Sequence, residues 1–437
     1  MQNLCHAAFT VLRQIEPVIV LEQLGSTLFD TALQLVVRDR STNASYPGVS
    51  DEDSRQKAMT DFFMTYNLII QLVPIFPAVI LARLSDKGRR KVPIVVPLAG
   101  YLLSRLSLLL VVWLRLPLQV MFGAAVLFGL SGGFCAYWSG VMTLASLGST
   151  TAERSMVMMR VELLYGAAGV VGSLVSGHLF QLYSSSLGHG IILLFVSTLL
   201  HLLCLLHAIF LLQVKVSNPE VEENHHLLSH TSAFKAPAGK NMLNVVLLFV
   251  AAILYDFAVG GAVEILGPFV LKPPLSWTPA QVGYGNAAGS AIFLTSFLGV
   301  MVFRRCFSDV SLILIGMLSF ASGIYVMSFV TATYMFYIAR SLNLFALIPM
   351  PTIRSLVSQQ VPASLCGTTL TALQLALKFA GLAYIPAFTK IYQRTLDWFP
   401  GFVFTLSSIF TVLAMIPVSF VGCRSARRRQ YEQIQGD

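Results

Sequence analysis

The sequence predicts an all-α membrane protein of about twelve transmembrane helices, arranged as two six-helix bundles. Three observations carry this. First, 56% of the 437 residues are hydrophobic and only 11% are charged. Soluble domains average about 25% charged residues, so a soluble fold could not hide this much apolar surface. Second, the apolar runs fall into two sets of six, parted by a polar stretch at 215–241. The runs have the length of bilayer-crossing helices and not the dyad alternation of a membrane barrel. Third, Lys and Arg are distributed unevenly among the connections, which fixes an orientation.

The first set lies near 17–37, 60–82, 93–114, 117–147, 157–182 and 189–213. The second lies near 243–271, 280–303, 309–330, 333–356, 366–391 and 399–421. The expected organisation is an N-terminal six-helix bundle (1–214), a cytoplasmic linker (215–242), a C-terminal six-helix bundle (243–422) and a basic cytoplasmic tail (423–437). The linker holds His225, His226 and His230 among Asn, Ser, Glu and Lys, and reads as a solvated tether and not a metal site. Met1–Glu16 lacks the basic region and short apolar core of a signal peptide, so it reads as a cytosolic tail. The six cysteines show no metal spacing, and no extracellular disulfide, metal or cofactor is expected. No catalytic grouping or phosphate loop is present, so an enzyme is not expected.

The connections expected inside carry Arg83, Lys87, Arg89, Arg90, Lys91, Lys215, Lys235, Lys240, Arg305 and the Arg427–Arg429 run. Those expected outside carry far fewer cations, among them Arg38, Arg40 and Lys272. Both termini are therefore expected in the cytoplasm. The net charge of +9 then reflects basic inner loops and not a nucleic-acid polymer as partner. Asn43-Ala44-Ser45 falls outside in an N-glycosylation sequon, either used or idle.

The most informative stretch is Asp256–Trp277. It continues an apolar run yet carries Asp256 and Glu264 around the pair Gly260-Gly261. Carboxylates in hydrocarbon are costly and face a cavity, partner or pathway. Eight residues turn a helix by roughly 80°, so both acids can share one inward face. The glycine pair is expected to let this helix bend or open.

The loop Ala82-Arg83-Leu84-Ser85-Asp86-Lys87-Gly88-Arg89-Arg90-Lys91 resembles the Gly-x-x-x-Asp-x-x-Gly-Arg-Arg/Lys loop of the major facilitator superfamily. Asp86, Gly88, Arg89 and Arg90 are expected to form an inner-face latch. An ordinary basic inner loop is the plainer reading. Ala82 replaces the first Gly of the pattern, and one residue fewer stands between Asp86 and Gly88. Further on, Val282-Gly283-Tyr284-Gly285-Asn286-Ala287-Ala288-Gly289, Pro351-Thr352-Ile353-Arg354-Ser355 and Trp398-Phe399-Pro400-Gly401-Phe402 resemble solute carrier family 46, the family of the proton-coupled folate transporter. Ile253–Val259, Phe134–Met142, Thr333–Arg340 and Phe345–Pro349 are nearest its thymic stromal cotransporter branch.

This resemblance implies the two-bundle major facilitator fold and import of organic anions or zwitterions with protons by alternating access. Folate-like solutes, cyclic dinucleotides, muropeptides and sulfated steroids are the candidate substrates. An uncoupled facilitator, or a transporter-like receptor or non-transporting membrane scaffold, is the alternative. The family's fifth-span proton-coupling glutamate falls here at Tyr165, with Glu162 one turn earlier. The family's cysteine pair joining the first outer loop to the seventh–eighth connection is absent, Ser276 standing at one of its positions. The expected partners are a small-molecule substrate, protons and lipid. The expected state is a monomer in the plasma membrane or, alternatively, an endolysosomal membrane.

Arg354 in the tenth span suits an anionic group, and the resemblance implies a functional arginine there. Alternatively it snorkels at the inner surface. Arg340, fourteen residues earlier and on nearly the same face of a continuous helix, is the second cation; a structural ion pair is its other reading. Lys378 in the eleventh span either neutralises an acid or meets substrate. Asp256, Glu264, Asp30 and Glu162 are the proton-coupling candidates, because desolvation favours the protonated carboxyl in general. Glu162 alternatively pairs with Arg154 or Arg160. Trp138, Tyr165, Tyr255 and Tyr284 are candidates for stacking on a flat solute. His201 and His207 read as packed side chains.

Overall fold

The computed structural model describes residues 14–42, 46, 47, 50–86, 88–147, 154–182, 190–213, 242–303, 305–360 and 363–435. Asn43, Lys87 and the three linker histidines lie outside these residues. Among the described residues every regular element is a helix. In chain order they are α1 Glu16–Arg40, α2 Asp51–Leu72, α3 Ile75–Asp86, α4 Val92–Trp113, α5 Val120–Leu130, α6 Gly133–Leu147, α7 Arg154–Leu182 and α8 Ile191–Phe210. Then follow α9 Met242–Leu271, α10 Pro279–Phe303, α11 Asp309–Met327, α12 Thr333–Leu342, α13 Pro349–Gln360, α14 Ala363–Thr395 and α15 Phe402–Gln435.

Three predicted spans are each built from two helices. At Val73-Pro74 the ladder stops, because proline brings no N–H, and α3 follows α2. Gly132 and Gly133, at φ +96° and +55°, separate α5 from α6 in a conformation that side chains rarely take. These breaks nest together: a Cβ on Gly133 would meet the Pro74 ring at 3.0 Å, and one on Gly129 would meet Val73 at 2.6 Å. The third break, 343–348, parts α12 from α13. Pro349 opens α13, a position where its missing N–H costs nothing. With the paired helices counted once, the described residues form twelve rods.

Ten of the described spans are long and apolar enough to cross a membrane. α1 falls short because Glu16, Glu22, Asp30 and three terminal charged residues lie on it. α12 and α13 fall short by length, at 10 and 12 residues. Phe76, Trp113, Phe210 and Phe420 are more than half exposed, as expected for a surface whose solvent is lipid.

The chain divides into two compact units. The first comprises Met1–Glu220 with Val270–Ala291; the second comprises Val221–Phe269 with Ile292–Asp437. In the first, α1 packs on α7 and α8, and α4 packs on α5, α6 and α8. Its core gathers Ile19, Ile94, Leu98, Tyr101, Tyr137 and Cys204. Ser197 Oγ donates to Gly25 O at 2.6 Å and Thr31 meets Ser176 at 2.8 Å, so hydroxyls as well as apolar contacts lock α1 in place. In the second unit, α11 packs on α12, α13 and α15. Ser407 Oγ of α15 donates to Ala258 O of α9 at 2.8 Å.

The helix does not open at Gly260-Gly261. α9 is one helix through both glycines. A Cβ on Gly260 would run into the Tyr384 ring, and one on Gly261 would meet the Phe388 ring at 2.6 Å. The pair serves close packing against α14. A helix is tolerated there because the bulk that glycine lacks is supplied by two aromatic rings.

Candidate functional site

The second unit brings together the ionisable groups predicted for the seventh, tenth and eleventh spans. Asp256 and Glu264 are both half-buried on α9. Arg354 of α13 and Lys378 of α14 lie within electrostatic reach of Asp256. Arg354 is exposed, and its Nη2 donates to Gln374 Oε1 at 2.8 Å. Tyr384, lying on Gly260, is within electrostatic reach of both acids. Helix spacing explains part of the grouping: Gln374 and Lys378, four residues apart on α14, share a face, while Tyr384, six residues further on, lies roughly 120° round the helix from Lys378. Two cations, two carboxylates, a carboxamide and a phenol thus line one region of this unit.

Two predicted members lie elsewhere. Tyr255 is 1% exposed; its hydroxyl donates to Ala346 O at 2.5 Å and its ring meets Phe320 edge-on. It braces α9 against the broken segment between α12 and α13. Arg340 sits half-buried with its guanidinium 5.3 Å from the Phe336 ring centroid, and its Nε has no hydrogen-bond partner. A shared face for Arg340 and Arg354 requires a continuous helix. The break at 343–348 removes that register, and the expectation is corrected accordingly.

In the first unit Trp138 and Tyr165 meet edge-on with ring centroids 5.0 Å apart, and Phe134 stacks on Trp138 at 5.6 Å. Both candidates are half-buried against the core, with Tyr165 in reach of Gln23. Asp30 is exposed on α1, and Glu162 is exposed on α7 near the exposed Arg160. The side chain of Arg154 lies outside the described residues. His201 is fully buried, with Nδ1 2.9 Å from Ser197 O, and His207 is buried as well.

The region around the α9–α10 connection is tied to the helices of the first unit. Lys272 Nζ donates to Asp53 Oδ1 at 2.7 Å, and Arg38 Nη1 donates to Trp277 O at 3.1 Å. Tyr284, predicted as a stacking residue, instead shares a 2.7 Å hydrogen bond with His178. A Cβ on Gly283 would lie 2.6 Å from Ser173 O, so α10 and α7 approach backbone to backbone.

In the loop after α3, Gly88 has φ +87° and its N–H donates to Ser85 O at 3.0 Å, while Arg89 N–H donates to Leu84 O at 3.1 Å. This pair of bonds is a Schellman stop, which needs a left-handed residue where Gly88 stands. Arg89 is exposed and Arg90 half-buried; the side chain of Asp86 lies outside the described residues.

Sequence reasoning missed Glu22, Arg105 and Tyr384. Arg105 sits mid-way along an apolar run and is 4% exposed. The rule that singled out Asp256 applies to it equally. Glu22 is 1% exposed and precedes Asp30 by eight residues, a spacing that shares a face. Tyr384 carried no sequence signal beyond being a phenol in a span.

The Major Facilitator Superfamily profile matches residues 20–386. Solute carrier family 46 member 2 of Canis lupus familiaris is 40% identical over 458 residues, covering 96% of this chain and 95% of that protein. The Mus musculus protein of the same name is 41% identical, over 97% and 95%. A lysosomal proton-coupled steroid conjugate and bile acid symporter, SLC46A3 of Homo sapiens, is 26% identical over 94% of this chain and 90% of its own. Among solved structures, the human organic anion transporter MFSD10 aligns at a TM-score of 0.62 with 16% identity, over 94% of this chain and 98% of its own. The fucose transporter FucP in its outward conformation aligns at 0.58 with 11% identity, over 95% and 98%. These two likenesses concern the fold. The fold, the profile and the relatives are those of transporters and not of enzymes: this chain is a multi-pass membrane protein belonging to solute carrier family 46 of the major facilitator superfamily.

Proposed function

We propose that this protein is a proton-coupled importer of amphipathic organic anions working by alternating access. The observation that carries the reading is the grouping of Arg354 and Lys378 with Asp256 on three helices of the second unit. Charges inside membrane spans are expensive and persist where a partner, pathway or guest meets them. An arginine fork suits carboxylate or sulfate, and the lysine adds a mobile point charge. Carboxylates beside these cations offer a place for a proton that travels with the solute. Relatives named for steroid conjugates and bile acids make that chemical class the first to try. Folate-like solutes, cyclic dinucleotides and muropeptides are the other members of the panel.

In this reading Arg354 and Lys378 bind the anionic group, and Asp256 and Glu264 carry coupling protons. Trp138 and Tyr165 offer an aromatic wall. Glu162, Arg340 and Tyr255 act as supports in the conformation described. The Gly88 turn positions Arg89 and Arg90 as an inner latch that favours the outward-open state. Both termini face the cytoplasm and Asn43 carries a glycan. The monomer resides in the plasma membrane; the lysosomal relative makes an endolysosomal home the alternative.

Purified protein in liposomes tests the reading directly. With an acidic outside medium and neutral lumen, a labelled sulfated steroid or bile acid accumulates, and a protonophore abolishes the accumulation. Uptake indifferent to the gradient would identify an uncoupled facilitator. Failure of every panel solute to accumulate would favour a receptor or scaffold.

A further inference from the structure

The first unit holds a second ionisable cluster. Glu22, Ser26 and Asp30 are spaced by four residues on α1, so they form one stripe of the helix. Asp30 is the exposed end and Glu22 the buried end. Ser26 Oγ donates to Glu22 Oε1 at 2.7 Å and accepts from Arg105 Nη2 at 2.9 Å. The Arg105 guanidinium is held between two rings, 4.0 Å from the Phe29 centroid and 4.6 Å from that of Tyr101. Arg105 Nε has no hydrogen-bond partner, and Glu22 Oε2 has at most the nearby Tyr101 hydroxyl.

This arrangement is poorly explained as a structural ion pair. Such a pair repays its desolvation only when the groups meet directly and fill each other's hydrogen-bonding sites. Here the carboxyl reaches the guanidinium through a hydroxyl, and the guanidinium keeps an unmet Nε. Two acids, Glu22 and Asp30, also stand within electrostatic reach of the one cation. Among the described residues, the surrounding helices bring no charged side chain to Glu22 besides Arg105. Tyr101 of α4, Tyr137 of α6, Tyr165 of α7 and Cys204 of α8 face it, His201 of α8 lies near Arg105 and against Tyr101, and Tyr66 of α2 faces Arg105.

We infer that Asp30, Ser26, Glu22 and Arg105 form a proton-binding centre within the first unit, separate from Asp256 and Glu264. A proton taken up at exposed Asp30 passes to Glu22. The O–H bond on Asp30 breaks, the Ser26 hydroxyl accepts one proton as it donates another, and an O–H bond forms on Glu22. Arg105 then moves its interaction toward the acid left ionised. The inference gives the proton of the proposed transport a second stop, but proton binding itself does not depend on any solute.

Infrared difference spectroscopy on the full-length protein in liposomes, recorded across a pH titration without solute, tests this. The wild type is expected to show a buried carboxyl C=O band that vanishes in Glu22→Gln. Its midpoint should shift in Asp30→Asn and in Arg105→Lys. A spectrum unchanged by Glu22→Gln would overturn the inference. If Glu22→Gln fails to fold, Glu22→Asp serves: a displaced band supports the centre and an unmoved band removes it. Solute accumulation measured in the same liposomes keeps the two claims apart. A Glu22 band with no accumulation would sink the transport reading alone, and accumulation with no Glu22 band would sink this centre alone.

Discussion

Lys272 and Asp53 form a 2.7 Å ion pair in which the side chains are 12% and 14% exposed. The pair joins the start of α2 to the connection after α9, the two regions that a cysteine pair joins in the family this chain resembles. In the proposed cycle a noncovalent tie of this kind can open, and it is reinforced here by Arg38 on Trp277 O and by His178 with Tyr284. Asp53→Ala strands a partly buried ammonium, and a donor left unmet costs about 1–3 kcal/mol. On the proposed orientation this loosens the outer side. Labelling of a cysteine placed at the buried Thr31 by an external, impermeant maleimide should rise about tenfold for each 1.4 kcal/mol lost. The double charge swap Asp53→Lys with Lys272→Asp should restore protection; unaltered labelling in Asp53→Ala would show that the pair does not gate.

The Tyr384 and Phe388 rings on Gly260 and Gly261 make a packing prediction. Gly261→Leu drives a side chain into the Phe388 ring, and overpacking of this kind costs about 1–3 kcal/mol. The thermal midpoint of the detergent-solubilised protein should fall, and Phe388→Ala should recover part of the loss. A Gly261→Leu protein as stable as the wild type would revive the hinge expected from sequence.

Tyr255→Phe removes the donor to Ala346 O. A buried carbonyl left without its partner costs about 1–3 kcal/mol. Lower thermal stability with unchanged apparent affinity for a transported solute is the expected split. A large loss of affinity at normal stability would instead make Tyr255 a binding residue.

Gly88→Ala asks a side chain to adopt φ +87° where space is free, so strain alone acts, about 1–2 kcal/mol. Gly88→Asn should be milder, because Asn tolerates the left-handed region. Transport rates ordered wild type, Asn, Ala are expected; equal rates would detach this turn from the cycle.

Much of this fold was legible in the sequence, because the bilayer imposes a length and a polarity that hydropathy reads directly. The runs at 93–114 and 243–271 became α4 and α9 within a residue or two. What sequence did not give were breaks that leave hydropathy untouched. Leu344-Phe345-Ala346-Leu347-Ile348 is apolar like its neighbours, yet it separates α12 from α13, so the shared face inferred for Arg340 and Arg354 was lost. Gly260-Gly261 shows the reverse error: a pair able to bend a helix permits two rings to approach it instead. At the site, Asp256 and Arg354 stood out as charges in apolar runs. Glu22 and Arg105 carried the same signal, but their link through Ser26 depends on how α1 and α4 pack.

Arg354→Ala should abolish solute uptake while leaving membrane expression intact, since it removes the cation bonded to Gln374 without emptying the core. Normal uptake by that variant would take Arg354 out of the site. Glu264→Gln should flatten the dependence of uptake on external pH; an unchanged profile would leave coupling to the other carboxyls.

The central claim is that an organic anion and a proton move together through this protein. The most direct measurement is proton flux driven by solute alone. Proteoliposomes at equal pH inside and out receive an inward gradient of whichever panel solute they accumulate, and the external pH is followed. The account predicts external alkalinisation that stops on reversal of the gradient and is lost in Arg354→Ala. Solute entry with no change in external pH, or a panel in which no solute enters, would contradict it.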